Sequence, residues 1–108
     1  MALQVGSVSL EMIAALRPLV PRIRRQDKAL ADQLLRAASS VALNIAEATY
    51  SDPGTNRSRF FSAAGSANET LTVLHVATAW GYFTHEDTCA ADALCRRVLA
   101  MLWRLTHG

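Results

Sequence analysis

The sequence predicts an all-α fold, an antiparallel up-down four-helix bundle, and three observations predict it. Nineteen of the 108 residues are Ala, against five Gly and three Pro, a composition that favours helix throughout. Apolar residues recur at three- and four-residue spacing in four segments, each the stripe of an amphipathic helix. Two small-residue segments, Ala37–Glu47 and Ala63–Glu69, combine Ala, Ser and Gly, which let two helix axes approach closely, with hydroxyls, amides and carboxylates that need partners once covered. A chain of 108 residues is long enough for one core without disulfides or a structural metal, so residues 1–108 are expected to form a single domain.

The first helix is expected to begin near Ser7 and to carry Val8, Met12, Leu16, Leu19 and Ile23 on one face. Pro18 interrupts it, yet the stripe keeps its phase through the proline, which predicts a kinked helix continuing to about Arg25 rather than an end near Arg17. Asp27 is placed to cap a second helix running to about Thr49, with Leu30, Leu34, Ala37, Val41, Ile45 and Ala48 inward. Ser51–Arg57 reads as a loop. The third helix carries Phe60, Ala64, Ala67, Leu71, Leu74 and Thr78 and ends at Gly81, which suits a left-handed cap after Trp80. Thr84 and Asp87 form a capping box that opens a fourth helix with Leu94, Val98, Met101 and Leu105 inward.

Two of these helices carry more apolar surface than one bundle face needs. Val73, Val76 and Trp80 sit opposite the Phe60–Leu71 stripe, and Cys95, Leu99, Leu102 and Trp103 widen the arc of the fourth helix to about 200°. Left exposed, such residues form a patch rarely tolerated on a soluble monomer, which points to self-association in a cyclic homo-oligomer. Val73, Val76, Trp80, Leu99 and Trp103 are the expected interface. Neither a signal-peptide pattern nor an apolar run of about 18 residues is present, and Cys89 and Cys95 lack metal-ligand spacing, so a cytoplasmic protein with two reduced core thiols is expected.

The polar residues suggest structure before chemistry. Gln33, Ser40, Asn44 and Glu47 fall on one stripe and Ser62, Ser66 and Glu69 on another, as if to meet and fix the register of two alanine-rich helices. Read functionally, Glu47 and Glu69 are paired carboxylates able to bind a metal or act as acid and base. None of the four Glu has a His three positions on, as a di-metal bundle requires, and His75, His85 and His107 match no zinc or nuclease pattern. No catalytic residue, metal or cofactor is assigned. The net charge of +2 is slight, but Arg22, Arg24, Arg25, Lys28, Arg57 and Arg59 are candidates for phosphate contacts with a nucleic acid, with no aromatic interleaved for base stacking.

The runs Gln33–Glu47, Gly65–Glu69 and Ala79–Tyr82, in this order, resemble the bacterial "four helix bundle protein" family over roughly Leu16 to Leu105. That family includes proteins encoded in intervening sequences of large-subunit ribosomal RNA genes and the accessory variability proteins of diversity-generating retroelements. The resemblance implies an up-down bundle assembled as a ring, a homopentamer above other sizes, without enzymatic activity. In the retroelement branch it implies a reverse transcriptase as partner and a basic surface that binds nucleic acid. The chain departs from the family at Ala48, where a Gly is usual, and in its low positive charge.

Overall fold

A computed structural model describes residues 2–108, and among these every regular element is an α-helix: α1 (Ala2–Leu16), α2 (Val20–Gln26), α3 (Lys28–Thr49), α4 (Pro53–Ala79) and α5 (His85–His107). They pack as a helical bundle of 42 × 22 × 19 Å. Around it α3 lies on α4, α4 on α5 and α5 on α1, while α1 and α2 both lie on α3.

The first expected helix is two helices. Pro18 has no N–H to continue the ladder and its ring crowds the carbonyl four residues back. The backbone responds with a tight turn over Arg17–Leu19, in which Leu19 N–H donates to the Leu16 carbonyl at 2.9 Å. Pro21 falls in the first turn of α2, where a missing N–H costs nothing. The helix therefore breaks instead of kinking, and the phase of the stripe survives: Leu16, Leu19 and Ile23 are all buried.

Asp27 both ends α2 and starts α3. In extended backbone, it donates its N–H to the Ile23 carbonyl at 2.7 Å while its carboxylate accepts from Leu30 N–H at 3.0 Å. The expected loop is shorter than Ser51–Arg57, because Asp52 is an N-cap whose carboxylate accepts from Thr55 N–H at 3.0 Å and Pro53 starts the helix with its φ already set. Gly54 to Arg57 are consequently helical. At the other end of α4, Gly81 takes φ +83°. There Tyr82 N–H reaches the Ala77 carbonyl and Gly81 N–H the Thr78 carbonyl, both at 2.9 Å, which closes the helix in a Schellman turn. The Thr84–Asp87 capping box opens α5 as expected.

The core runs the length of the bundle. Met12, Ile23, Leu34, Leu74 and Leu102 are fully buried, each contributing about 1.5–3 kcal/mol of apolar burial. The inward face of α5 is rotated from the expected one: Ala91, Cys95, Val98 and Leu102 point into the core, with Leu94, Met101 and Leu105 flanking it. Cys95 and Leu102 are therefore not part of an outward arc. Burial pushes the Cys95 thiol up to about 12. Cys89 is exposed and is not the core thiol expected.

Candidate assembly surfaces and the polar seam

The two polar stripes meet, but not along their full length. Ser40 and Ser66 share a hydrogen bond of 2.8 Å, and Asn44 Nδ2 donates to the Ser40 hydroxyl at 3.0 Å and to the Ser40 carbonyl at 2.9 Å. About two turns on, Arg59 pairs with Glu47 at 3.0 Å. Because Ser40 faces Ser66 while Glu47 faces Arg59, α3 and α4 run antiparallel, and the same register sets Glu69 level with Ala37. Ten residues of helix, about 15 Å, then separate Glu69 from Glu47 along the axis. The paired-carboxylate reading fails on that distance. Gln33, Ser62 and Glu69 are exposed and make no cross-seam bond among the described residues, so the working network is Ser40, Asn44, Glu47, Ser66 and the unanticipated Arg59.

A hydrogen-bonded carboxylate links α4 and α5. Asp92 bridges His75 Nε2 at 3.0 Å and Arg96 Nε at 2.6 Å, beside a cleft of about 530 Å³ that Thr78, His85 and Thr88 also line. Partial desolvation raises the Asp92 carboxyl, but the bonds from Arg96 and His75 outweigh it and hold the group below the usual carboxylate range. Among the described residues, no three His, Cys, Asp or Glu side chains are grouped to hold a metal.

The six basic candidates do not form one patch. Arg22, Arg24, Arg25 and Lys28 surround the α2–α3 junction, whereas Arg57 and Arg59 lie in the first turns of α4, level with the last turn of α3, about 30 Å away. Arg22 is engaged by Asp87 at 3.2 Å and lies over the Phe83 ring, and Arg24 is engaged by Asp32 at 2.9 Å. Contrary to the sequence expectation, one cation does sit among aromatics. Arg57 covers Phe61, whose ring meets His107 edge-on at 5.9 Å, and His107 stacks on Trp103 at 4.4 Å.

Large apolar side chains are exposed on both helix pairs. On α4 and α5 these are Phe61, Val76, Trp80 (70% exposed) at the end of α4, and Trp103 (60%). Of the expected interface residues Val76, Trp80 and Trp103 point outward as anticipated. Val73 does not, since the α3 side of α4 covers it to 3% exposure, and Leu99 is half-buried against the core. On the α1–α3 side stand Leu10, Leu35, Leu43 (64%) and Tyr50 (93%), along a groove the sequence reading missed. Its two segments, about 470 Å³ each, adjoin at Leu10. A signal for it was present: Leu35 and Leu43 interrupt the polar side of a helix whose inward stripe was already complete with Leu34 and Val41.

A family model described as "23S rRNA-intervening sequence protein" matches residues 4–104. The chain belongs to that family. Among solved structures, the intervening-sequence protein described above is similar to a protein of unknown function from the S23 ribosomal protein family of Bacteroides thetaiotaomicron, with 22% identity and a TM-score of 0.89 over 96% of this chain and 99% of that one. At that identity the likeness is one of fold. No curated protein matches the chain. Among the described residues, no helix is long and apolar enough to cross a membrane.

Proposed function

We propose that this intervening-sequence protein is a non-enzymatic subunit of a homo-oligomeric ring, a homopentamer above other sizes, that serves in the cytoplasm as an interaction or accessory subunit. Residues 1–108 form one domain with up-down four-helix topology, α1 and α2 together making its first, broken limb. The observation that carries the reading is the number of large apolar side chains left exposed, Leu10, Leu35, Leu43 and Tyr50 along α1 and α3 and Phe61, Val76, Trp80 and Trp103 along α4 and α5, more than a lone subunit tolerates. The ring size is what the family resemblance implies. Light scattering of the purified chain should give a mass near five times 11.7 kDa. A particle of one chain's mass would end the proposal.

A second reading, a nucleic-acid-binding accessory protein of an rRNA-linked or reverse-transcriptase element, is favoured by the Arg57–Phe61–His107–Trp103 stack, which sets a cation beside exposed rings. Binding of single-stranded RNA that weakens with salt and is lost in Arg57→Ala supports it. Absence of a salt-dependent complex removes it.

A further inference from the structure

We infer that the cleft between α4 and α5 is a binding site for a small phosphomonoester, its phosphoryl group held by His75 and Arg96 and its organic part lying toward His85. The inference does not depend on the assembly proposed above.

Two donors from different helices are fixed at one end of the cleft. The Asp92 carboxylate takes His75 Nε2 from α4 at 3.0 Å and Arg96 Nε from its own helix at 2.6 Å, one bond to each oxygen. An ionised carboxylate only accepts, so His75 Nε2 is the donor and carries a proton. Left for a ligand are His75 Nδ1 and the two terminal amino groups of Arg96, which are unpaired among the described residues. Asp92 thus balances the charge of Arg96 while holding both groups in place, and it acts as a positioning residue. A guanidinium fork occupies two oxygens of an oxyanion. A carboxylate has none to spare after that, whereas a phosphoryl group has a third to give to His75 across the cleft.

The rest of the cleft suits the organic part of the ester. Its volume of about 530 Å³ is far more than a free oxyanion fills and lies in the range of small-molecule pockets. Thr78 and Thr88 commit their hydroxyl protons to the Leu74 and His85 carbonyls, at 2.9 and 3.3 Å, and so offer the cleft no donor. With Ala79 they give it methyl surface. His85 stands seven residues before Asp92, two helical turns or about 10 Å toward the α4–α5 connection. Its ring lines the cleft, makes no hydrogen bond among the described residues, and is free to cover a flat organic group.

The charge of the cleft depends on its imidazoles. From α4 it receives His75 and from α5 His85, Asp92 and Arg96, and no charged side chain of α1, α2 or α3 lines it among the described residues. Arg96 and Asp92 cancel, so any positive surplus comes from histidine. Because Nε2 is already committed to Asp92, Nδ1 of His75 donates to a fully ionised oxyanion only when the ring holds both protons. Binding therefore takes up a proton and strengthens as the pH falls through the range in which histidine titrates.

The test titrates the full chain with phenyl phosphate by calorimetry, using inorganic sulfate as an oxyanion whose own charge does not change between pH 8 and pH 6. His75, His85 and Arg96 are exposed, so their variants should keep the wild-type circular dichroism. Wild type should bind both probes, and sulfate more tightly at pH 6 than at pH 8 with uptake of a proton. Arg96→Gln should weaken both probes about tenfold or more. His75→Gln should weaken both and remove the pH dependence of sulfate binding. His85→Ala should weaken phenyl phosphate and leave sulfate unchanged. Asp92→Asn should weaken both although it removes a negative charge, and tighter binding there overturns the positioning role. Failure of wild type to bind either probe at millimolar concentration overturns the site. Equal affinity for dimethyl phosphate overturns the monoester assignment, and displacement of phenyl phosphate by single-stranded RNA overturns it in favour of a nucleic-acid backbone.

Discussion

The α3–α4 seam and the α1–α3 groove are both rich in alanine and serine, yet one is closed and the other open. In the seam, small residues face small residues, and Ser40, Ser66 and Asn44 satisfy one another across the contact. In the groove, Ala42 and Ala46 line one segment with Leu10, Ala38 lines the other with Leu10 and Ile13, and no side-chain hydrogen bond joins α1 to α3 among the described residues. Small residues permit close approach; they do not enforce it. Where polar groups are mutually satisfied the helices seal, and where the lining is mostly apolar and no hydrogen bond crosses, a groove stays open.

The contrast breaks most visibly on overpacking. Ala63→Leu, one turn from the Ser66 contact and fully buried, should cost about 1–3 kcal/mol in urea unfolding. Ala46→Leu in the open groove should change stability by less than about 0.5 kcal/mol. Equal costs would mean that the groove is closed in solution. A smaller effect is expected in the seam's polar contact. Ser66→Ala leaves the Ser40 hydroxyl with Asn44 alone and should cost about 1 kcal/mol, while Ser40→Ala plus Ser66→Ala should cost less than the two single changes together.

The smallest effect separates the hydroxyl contact of the seam from the carboxylate at the α4–α5 joint. The Asp92 carboxyl is held below its ordinary range in the folded chain, so its contribution is complete above about pH 4 and is lost as the pH falls through that depressed value. Asp52, bonded by Thr55, and Asp87, bonded by Thr84 and Arg22, shift in the same direction and add to the loss. Unfolding at pH 6 and pH 3 should differ less in Asp92→Asn than in wild type, and equally in Ser66→Ala and wild type.

Local signals in the sequence were readable where one residue type has one physical use. Asp27, Gly81 and the Thr84–Asp87 pair each stand where a helix end demands them, and the structure uses all of them as caps. The seam was visible from its hydroxyls, but its register was not, because a stripe of polar residues does not state which member meets which; Arg59 took Glu47 and left Glu69 alone. Periodicity also located α5 while misplacing its centre. Its apolar arc is wide enough to admit two inward directions, and only the neighbours α1 and α4 decide between them. Leu10, Leu35 and Leu43 went unread for a related reason: a groove belongs to two helices at once, and each contributes only isolated apolar residues to it.

The turn at Arg17–Leu19 carries a consequence for length rather than composition. It delivers Ile23 to the core in step with Leu16 although the helix between them is broken. Deleting one residue from this connector would swing all of α2 through about 100° about its axis, turning Ile23 toward water and carrying Arg22 away from Asp87. The connector therefore acts as a spacer of fixed count, in which exchanging side chains is tolerable and adding or removing a single peptide unit is not.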